Sequence, residues 1–172
     1  NYWRICRFGI GERINNMKNR LNKIFKNDGK TFILAIDHGS GLNVLPELAE
    51  PEKIIDIAIH NGVDAIICTY GIYKRFSKYF ENIPAIIRAD GGASAIGKGN
   101  SKTLGVIDVE DVVKLGGDGI VCMCFPGADY EQESIESLQH FVTDGDKWGI
   151  PICAEVLPKG WDNSNWTPDN LT

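Results

Sequence analysis

The stretch ILAIDHGSG, residues 33–41, decides the fold of this sequence. Four apolar residues lead directly into Asp37 and His38, and glycines follow at positions 39 and 41. A short apolar run that is bounded by turn residues is typical of a strand buried on both faces. Because an acidic residue at the end of such a strand is costly to bury, the pattern favours a functional role for Asp37 over a simple loop cap.

Helical and strand patterns alternate along the rest of the chain. An amphipathic helix is predicted within the N-terminal helical segment, residues 1–30. Five apolar runs of strand length follow it, at 31–36, 63–70, 83–89, 119–125 and 150–157. Helical patterns separate them, and Asp108 with Asp111 is predicted to cap one of these helices. Strands that alternate with helices in this way predict an α/β chain with a parallel sheet.

A weak internal repeat narrows the fold class. The segment GVDAIIC, residues 62–68, matches GGDGIVC, residues 116–122, at four positions and in apolar character elsewhere. Repeated junctions of this kind favour a TIM (β/α)8 barrel. An open doubly wound sheet stays an alternative, because the number of strands does not exclude it.

The chain is expected to form one α/β barrel domain, residues 1–172, with barrel strands one to five in residues 31–172. Thr167, Pro168 and Asp169 are a good helix start close to the last residue. A closed barrel needs eight strands and about 250 residues. We therefore expect the sequence to cover roughly the first five β/α units and to be incomplete at its C-terminus.

Composition excludes several classes of partner. The formal net charge of −5 argues against a nucleic-acid partner, and no apolar run approaches the roughly 20 residues of a membrane helix. The cysteine count is odd, and Cys68, Cys122 and Cys153 fall in predicted strands, which indicates reduced core cysteines of a cytoplasmic protein. Cys122 and Cys124 share a strand face without other ligand types nearby, so packing is favoured over a metal site. We expect neither a metal nor an organic cofactor.

The ends of the predicted strands carry the candidate site residues. In α/β folds, ligands bind at the carboxyl ends of the strands, so these side chains are expected to surround one cleft. They are Asp37, His38, Tyr70, Arg88, Asp90, Glu155 and Lys159.

Strand alternation places some of these residues on the same face. Arg88 and Asp90 are two residues apart, and a charge network that includes Asp37 is feasible. Ionised groups that converge in a dry cleft shift one another's pKa values, as acid/base chemistry requires. The alternatives are structural: Arg88 pairs only with Asp90, Glu155 forms an ordinary buried ion pair, and His38 is a loop hydrogen-bond donor. For Lys159, a phosphate-binding or solvent-facing cation is favoured over a covalent nucleophile.

Five motifs together resemble the archaeal-type class I aldolases of the DeoC superfamily. The motifs are GKTFILAIDHGSG, DAIICTYGI, IIRADGGAS, DVEDVVKLGGDGIV and GIPICAEVLPKG. That family includes fructose-bisphosphate aldolases, aminodideoxyheptulosonate synthases and an autoinducer-2 processing enzyme. The resemblance implies a TIM barrel and a Schiff-base lysine on strand six, which would lie beyond Thr172. It also implies proton transfer at Asp37, phosphate binding near Lys159, a phosphorylated small-molecule substrate and a homo-oligomer.

One departure from the family pattern affects the choice of reaction. Many relatives carry a tyrosine before the proline of strand five, where this sequence has Leu157. We expect Tyr70 or Glu155 to handle protons in its place, so the candidate catalytic residues are Asp37, Glu155 and Tyr70, and the candidate substrate-binding residues are His38, Arg88, Asp90 and Lys159. The leading function is a carbon–carbon lyase acting on a phosphorylated sugar or keto compound such as fructose 1,6-bisphosphate. The alternatives are a phospho-dione thiolase or acyltransferase on the same scaffold, and a non-catalytic barrel that binds sugar phosphates.

Overall fold

The computed structural model describes residues 17–40, 45–92 and 102–158. Seven strands lie in these ranges. They are β1 (Ile33–Ala35), β2 (Ala65–Thr69), β3 (Ala85–Arg88), β4 (Asp90–Gly91), β5 (Leu104–Gly105), β6 (Gly119–Cys124) and β7 (Ile152–Val156). Five helices accompany them. These are α1 (Lys18–Ile24), α2 (Pro51–His60), α3 (Tyr70–Arg75), α4 (Val109–Leu115) and α5 (Glu131–Trp148).

The main sheet has the strand order β1-β2-β3-β6-β7, and every neighbouring pair is parallel. Each strand therefore lies beside the strand that precedes it in this series, and the order never reverses. A doubly wound sheet has such a reversal, whereas a TIM barrel does not. The sheet is thus that of about five successive units of a TIM barrel, which confirms the predicted fold class. All five predicted strands are found, four of them three residues shorter than the apolar run and one, β6, a single residue shorter.

Helices α2 to α5 cover one face of this sheet. The larger apolar core lies between them and the strands, and its fully buried members include Ile55, Ile66, Ile87 and Ile120. Phe141 brings α5 into the same cluster. This packing buries every second residue of the strands.

The opposite face of the sheet has its own apolar cluster. Ile24 of α1 packs there with Ala65, Ile86 and Val121, which alternate with the residues of the larger core. The strands are therefore covered on both faces at their amino ends. This double burial explains why their sequences are almost continuously apolar.

The internal repeat has a structural explanation in its two aspartates. Asp64 accepts the backbone N–H of Phe32 at 2.8 Å and pairs with Lys26 at 2.8 Å. Asp118 accepts the N–H of Ala85 at 3.3 Å and pairs with Lys23 at 2.7 Å. In each copy the aspartate lies just before its own strand. It bonds to the start of the neighbouring strand in the sheet, β1 for Asp64 and β3 for Asp118, and to a lysine in or near α1. The repeat therefore belongs to the barrel's framework, at the end opposite the candidate site.

Three local features differ from the sequence predictions. Asp108 precedes α4, but its side chain makes no cap hydrogen bond, so the predicted cap is wrong in that respect. Helix α3 begins at Tyr70 because the Thr69 hydroxyl accepts the N–H of Ile72 at 3.2 Å. The antiparallel pair of β4 and β5 was not predicted.

Two predictions fall outside the described residues: the helix start at 167–169 and the part of the predicted amphipathic helix that precedes Met17.

Within the described ranges, no helix is both long enough and apolar enough to cross a membrane.

A close contact between α5 and β7 gives a test of this packing. An added Cβ at Gly145 would lie 2.7 Å from Ile152 Cγ1 and 2.9 Å from the Ile150 carbonyl oxygen. We expect Gly145→Ala to lower the free energy of unfolding by about 1–3 kcal/mol, because overpacking outweighs the gain in helix propensity. Chemical denaturation of the purified protein measures this change.

Gly71 in α3 is the matched control, since a Cβ there meets only the Thr69 hydroxyl at 4.0 Å. Gly71→Ala is expected to leave stability unchanged or to raise it by up to about 1 kcal/mol. Equal effects of the two substitutions would show that α5 does not pack on β7 in this way.

Candidate functional site

The guanidinium of Arg88 lies at the centre of the candidate site. Its Nε donates to Asp37 Oδ2 at 2.6 Å, and its Nη2 donates to Glu155 Oε2 at 2.6 Å. Its Nη1 donates to Asp90 Oδ1 at 3.3 Å. Each of the three nitrogens therefore bonds to a different carboxylate, and the network that was only feasible from the sequence is present.

The strands deliver these groups to one place. Asp37 lies two residues beyond β1, Arg88 is the last residue of β3, and Asp90 follows on the same face. Glu155 is in β7, where it pairs in register with Met123 of β6. Since parallel strands end at a common edge, residues that are far apart in sequence meet at this edge of the sheet.

Asp90 also connects two strands through the backbone. Its Oδ2 accepts the N–H of Met123 at 2.6 Å, while its Oδ1 accepts from Arg88. Asp90 is 2% exposed, so both of its oxygens are satisfied in a site from which water is nearly excluded. Asp90 thereby fixes the end of β3 against β6.

Burial and charge determine the electrostatics of the cluster. Burial alone would lower the pKa of the Arg88 guanidinium, but Asp37, Asp90 and Glu155 outweigh it and raise that pKa above its ordinary value. Burial raises the pKa of Asp90, although Arg88 and the Met123 N–H act in the opposite direction. The cluster thus combines three carboxylates with one cation, an arrangement suited to acid/base chemistry.

A cavity of about 780 Å³ lies beside the cluster. Tyr70, Arg88 and Asp90 line it, so the structure brings these three predicted residues together. Asp37 and Glu155 are connected to this lining through their hydrogen bonds to Arg88. The cavity is large enough for a sugar phosphate, since small-molecule sites usually span about 300–1,000 Å³.

Of the two remaining predicted residues, His38 makes none of the bonds of this network, and Lys159 falls outside the described ranges. His38 begins a short 3₁₀ turn, and its buried Nδ1 has no hydrogen-bond partner among the described residues. Lys159 lies outside the described residues, so its predicted phosphate contact stays a prediction.

Sequence reasoning missed other residues that line the cavity. Arg75, Glu52 and Thr69 are among its lining residues, and the Thr69 hydroxyl also caps α3. Thr69 could have been predicted as a cavity residue, because it lies at the end of a strand. Arg75 is the last residue of the following helix, and sequence patterning gives no indication that this position borders the cavity.

Leu157 belongs to a small apolar cluster beyond the charged residues. It is 2% exposed and packs with Met123 and Phe125, and the ring of Tyr130 lies 5.4 Å from that of Phe125. Leu157, which stands where the family pattern has a tyrosine, is therefore packed in an apolar cluster.

Across the described ranges, no group of three or more His, Cys, Asp or Glu side chains is arranged to hold a metal ion.

Comparison with known proteins identifies the family. The sequence profile of the DeoC/LacD family aldolases matches residues 31–170, and the chain therefore belongs to that family. Fructose-bisphosphate aldolase class 1 of Thermoproteus tenax is 27% identical over 161 residues, which are 91% of this chain and 60% of the relative. The 3-hydroxy-5-phosphonooxypentane-2,4-dione thiolase of Escherichia coli K12 is 31% identical over 149 residues, which are 85% of this chain and 50% of the relative.

Solved structures agree with this assignment. A Schiff-base-forming fructose-1,6-bisphosphate aldolase superposes with a TM-score of 0.73 at 28% identity, covering 84% of this chain and 58% of that one. A fructose-bisphosphate aldolase from Slackia heliotrinireducens has a TM-score of 0.74 at 14% identity, which supports the fold alone. The chain thus spans about half to three fifths of the length of these relatives.

The raised pKa of Asp90 gives a pH-dependent prediction. A carboxyl with a raised pKa binds its proton more tightly in the folded than in the unfolded protein, so its ionisation lowers stability as the pH rises above about 4. Asp90→Asn cannot ionise and still offers an oxygen to the Met123 N–H. We expect the unfolding free energy of wild type, relative to Asp90→Asn, to decrease as the pH rises from about 4 through the raised pKa of Asp90, and then to level off.

Urea denaturation at a series of pH values measures this difference. Asp111→Asn, at an exposed position of α4, is the control and should change stability by less than about 0.5 kcal/mol. A wild type that gains stability over Asp90→Asn as the pH rises would contradict the sign assigned to Asp90.

Proposed function

We propose that the protein is a class I aldolase-type carbon–carbon lyase that acts on a phosphorylated sugar or keto compound, such as fructose 1,6-bisphosphate. The observation that supports this most strongly is the meeting of Asp37, Asp90 and Glu155 on Arg88 at the strand ends, beside a cavity of sugar-phosphate size. Membership of the DeoC/LacD aldolase family gives this geometry its chemical context.

The proposed reaction needs a lysine that the resemblance to class I aldolases puts on strand six, beyond Thr172. Its amine condenses with the substrate ketone and releases water, which leaves a protonated imine. The electrons of the adjacent carbon–carbon bond then flow to the imine nitrogen as a base removes the proton of the hydroxyl on the leaving carbon. The resulting enamine is protonated on carbon, and hydrolysis of the imine frees the lysine.

The described residues supply the proton-transfer groups in this proposal. Asp37 is the first candidate, since the family pattern gives that position a part in proton transfer, and Arg88 fixes its orientation. Glu155 or Tyr70 takes the part of the tyrosine that Leu157 replaces. Glu155 is the more exposed acid of the cluster, with 25% of its side chain accessible, and Tyr70 lines the cavity.

A thiolase or acyltransferase acting on a phosphorylated dione is the second candidate function. Two observations favour it: the Escherichia coli thiolase is 31% identical to this chain, and Leu157, at the position of the family tyrosine, has no hydroxyl. Product analysis with and without coenzyme A separates the two reactions, because only acyl transfer depends on the thiol.

The cytoplasmic location and the homo-oligomer stay predictions.

Covalent trapping tests the main proposal. Full-length protein is incubated with fructose 1,6-bisphosphate or dihydroxyacetone phosphate and sodium borohydride, and its intact mass is measured. A Schiff-base enzyme is expected to gain the mass of the reduced adduct and to lose activity in proportion. Binding of these compounds without any adduct would instead favour the non-catalytic barrel.

Kinetics of Asp37→Asn test the assignment of the acid/base group. Loss of a proton-transfer group is expected to lower kcat by about 10²- to 10⁴-fold. Asp56→Asn, at an exposed position of α2, is the matched control and should keep full activity. Normal turnover by Asp37→Asn would remove Asp37 from the mechanism.

A further inference from the structure

Arg88 is the obvious cation for a substrate phosphate, but three of its five N–H donors, one on each nitrogen, already bond to carboxylates. Its three nitrogens each bond to a carboxylate, and the side chain is only 5% exposed. A phosphate at Arg88 would have to compete with these carboxylates for the guanidinium. It would also come close to three acidic groups, and repulsion from the nearly buried Asp37 and Asp90 would oppose it.

The same contacts show what Arg88 does for its neighbours. Asp37 follows β1 and Glu155 lies in β7, the two outer strands of the described sheet. Arg88 in the central strand holds each of them at 2.6 Å. Charge-assisted bonds of this kind fix the direction of a carboxylate and favour its ionised form.

We propose that Arg88 is a positioning residue, which orients Asp37 and Glu155 for proton transfer, and that it is not the ligand of the substrate's phosphate. This inference rests on the proposed function, because it assigns Arg88 a role in that reaction. It replaces the expectation that Arg88 binds substrate directly.

Lysine cannot reproduce this role. Arginine presents a rigid planar fork of donors that reaches several acceptors at fixed angles, whereas the lysine ammonium is a compact point charge on a flexible stem. Arg88→Lys keeps the positive charge that a phosphate would need but loses the simultaneous hold on Asp37, Asp90 and Glu155. The substitution therefore separates anion binding from positioning.

Steady-state kinetics of Arg88→Lys with the phosphorylated substrate provide the first test. We expect kcat to fall by about 10- to 100-fold, as for misplaced catalytic groups, and KM to change by less than about threefold. The acidic limb of the pH profile should move to higher pH, because the carboxylates lose part of the cation that favours their ionised form. Asp90→Asn removes one negative group and should move that limb to lower pH.

Arg20→Lys is the matched arginine control. Arg20 Nη1 donates to the Gly149 carbonyl oxygen at 3.0 Å, at the amino ends of the strands and away from the cavity. Its kcat and KM should stay within about twofold of wild type. A KM for Arg88→Lys that rises tenfold, with kcat and the pH profile unchanged, would show that Arg88 binds the phosphate and would overturn the proposal.

A measurement without substrate keeps this test separate from the proposed function. The unfolding free energies of wild type and Arg88→Lys are compared by urea denaturation at about pH 5 and pH 8. The loss in Arg88→Lys should be larger at the higher pH, where the carboxylates must be ionised without their full set of donors. An equal loss at both values would overturn the role of Arg88 even if no substrate were known, whereas absence of a borohydride adduct in wild type would count against the aldolase reaction alone.

Discussion

The contact of one arginine with three carboxylates is the constraint on which the site depends. Without Arg88, the nearly buried Asp37 and Asp90 would face Glu155 with no cation to offset their charge. Leaving buried carboxylates uncompensated is strongly destabilising, so the guanidinium is expected to stabilise the fold. The same bonds orient the groups that the proposed reaction uses, which links stability and function at one residue.

The barrel framework makes this contact possible. Five parallel strands in sequential order bring their carboxyl ends to a common edge, and the apolar clusters on both faces hold them there. The ion pairs of Asp64 and Asp118 with lysines near α1 lie at the opposite end. The charged groups are thus divided between a structural end and a functional end, as is usual for β/α barrels.

The sequence was sufficient to predict the fold class because each strand is an apolar run with clear turn residues at its ends. It also predicted that Asp37, Arg88, Asp90 and Glu155 share one edge, since strand ends and period-two alternation determine that placement. It did not predict how the guanidinium is divided among three acids, because that depends on side-chain geometry across β1, β3 and β7. The contribution of Arg75 to the cavity and the pairing of β4 with β5 were missed for the same reason: both depend on tertiary contacts.

Nitrogen-15 NMR of the arginine side chains tests the central claim most directly, with the Arg88 signals assigned by their loss in Arg88→Lys. If three carboxylates hold the guanidinium, rotation about its carbon–nitrogen bonds is restricted. Arg88 should then show separate Nη resonances and a slowly exchanging Nε–H. A single averaged Nη signal that exchanges rapidly with water, like that of an exposed arginine, would contradict the account.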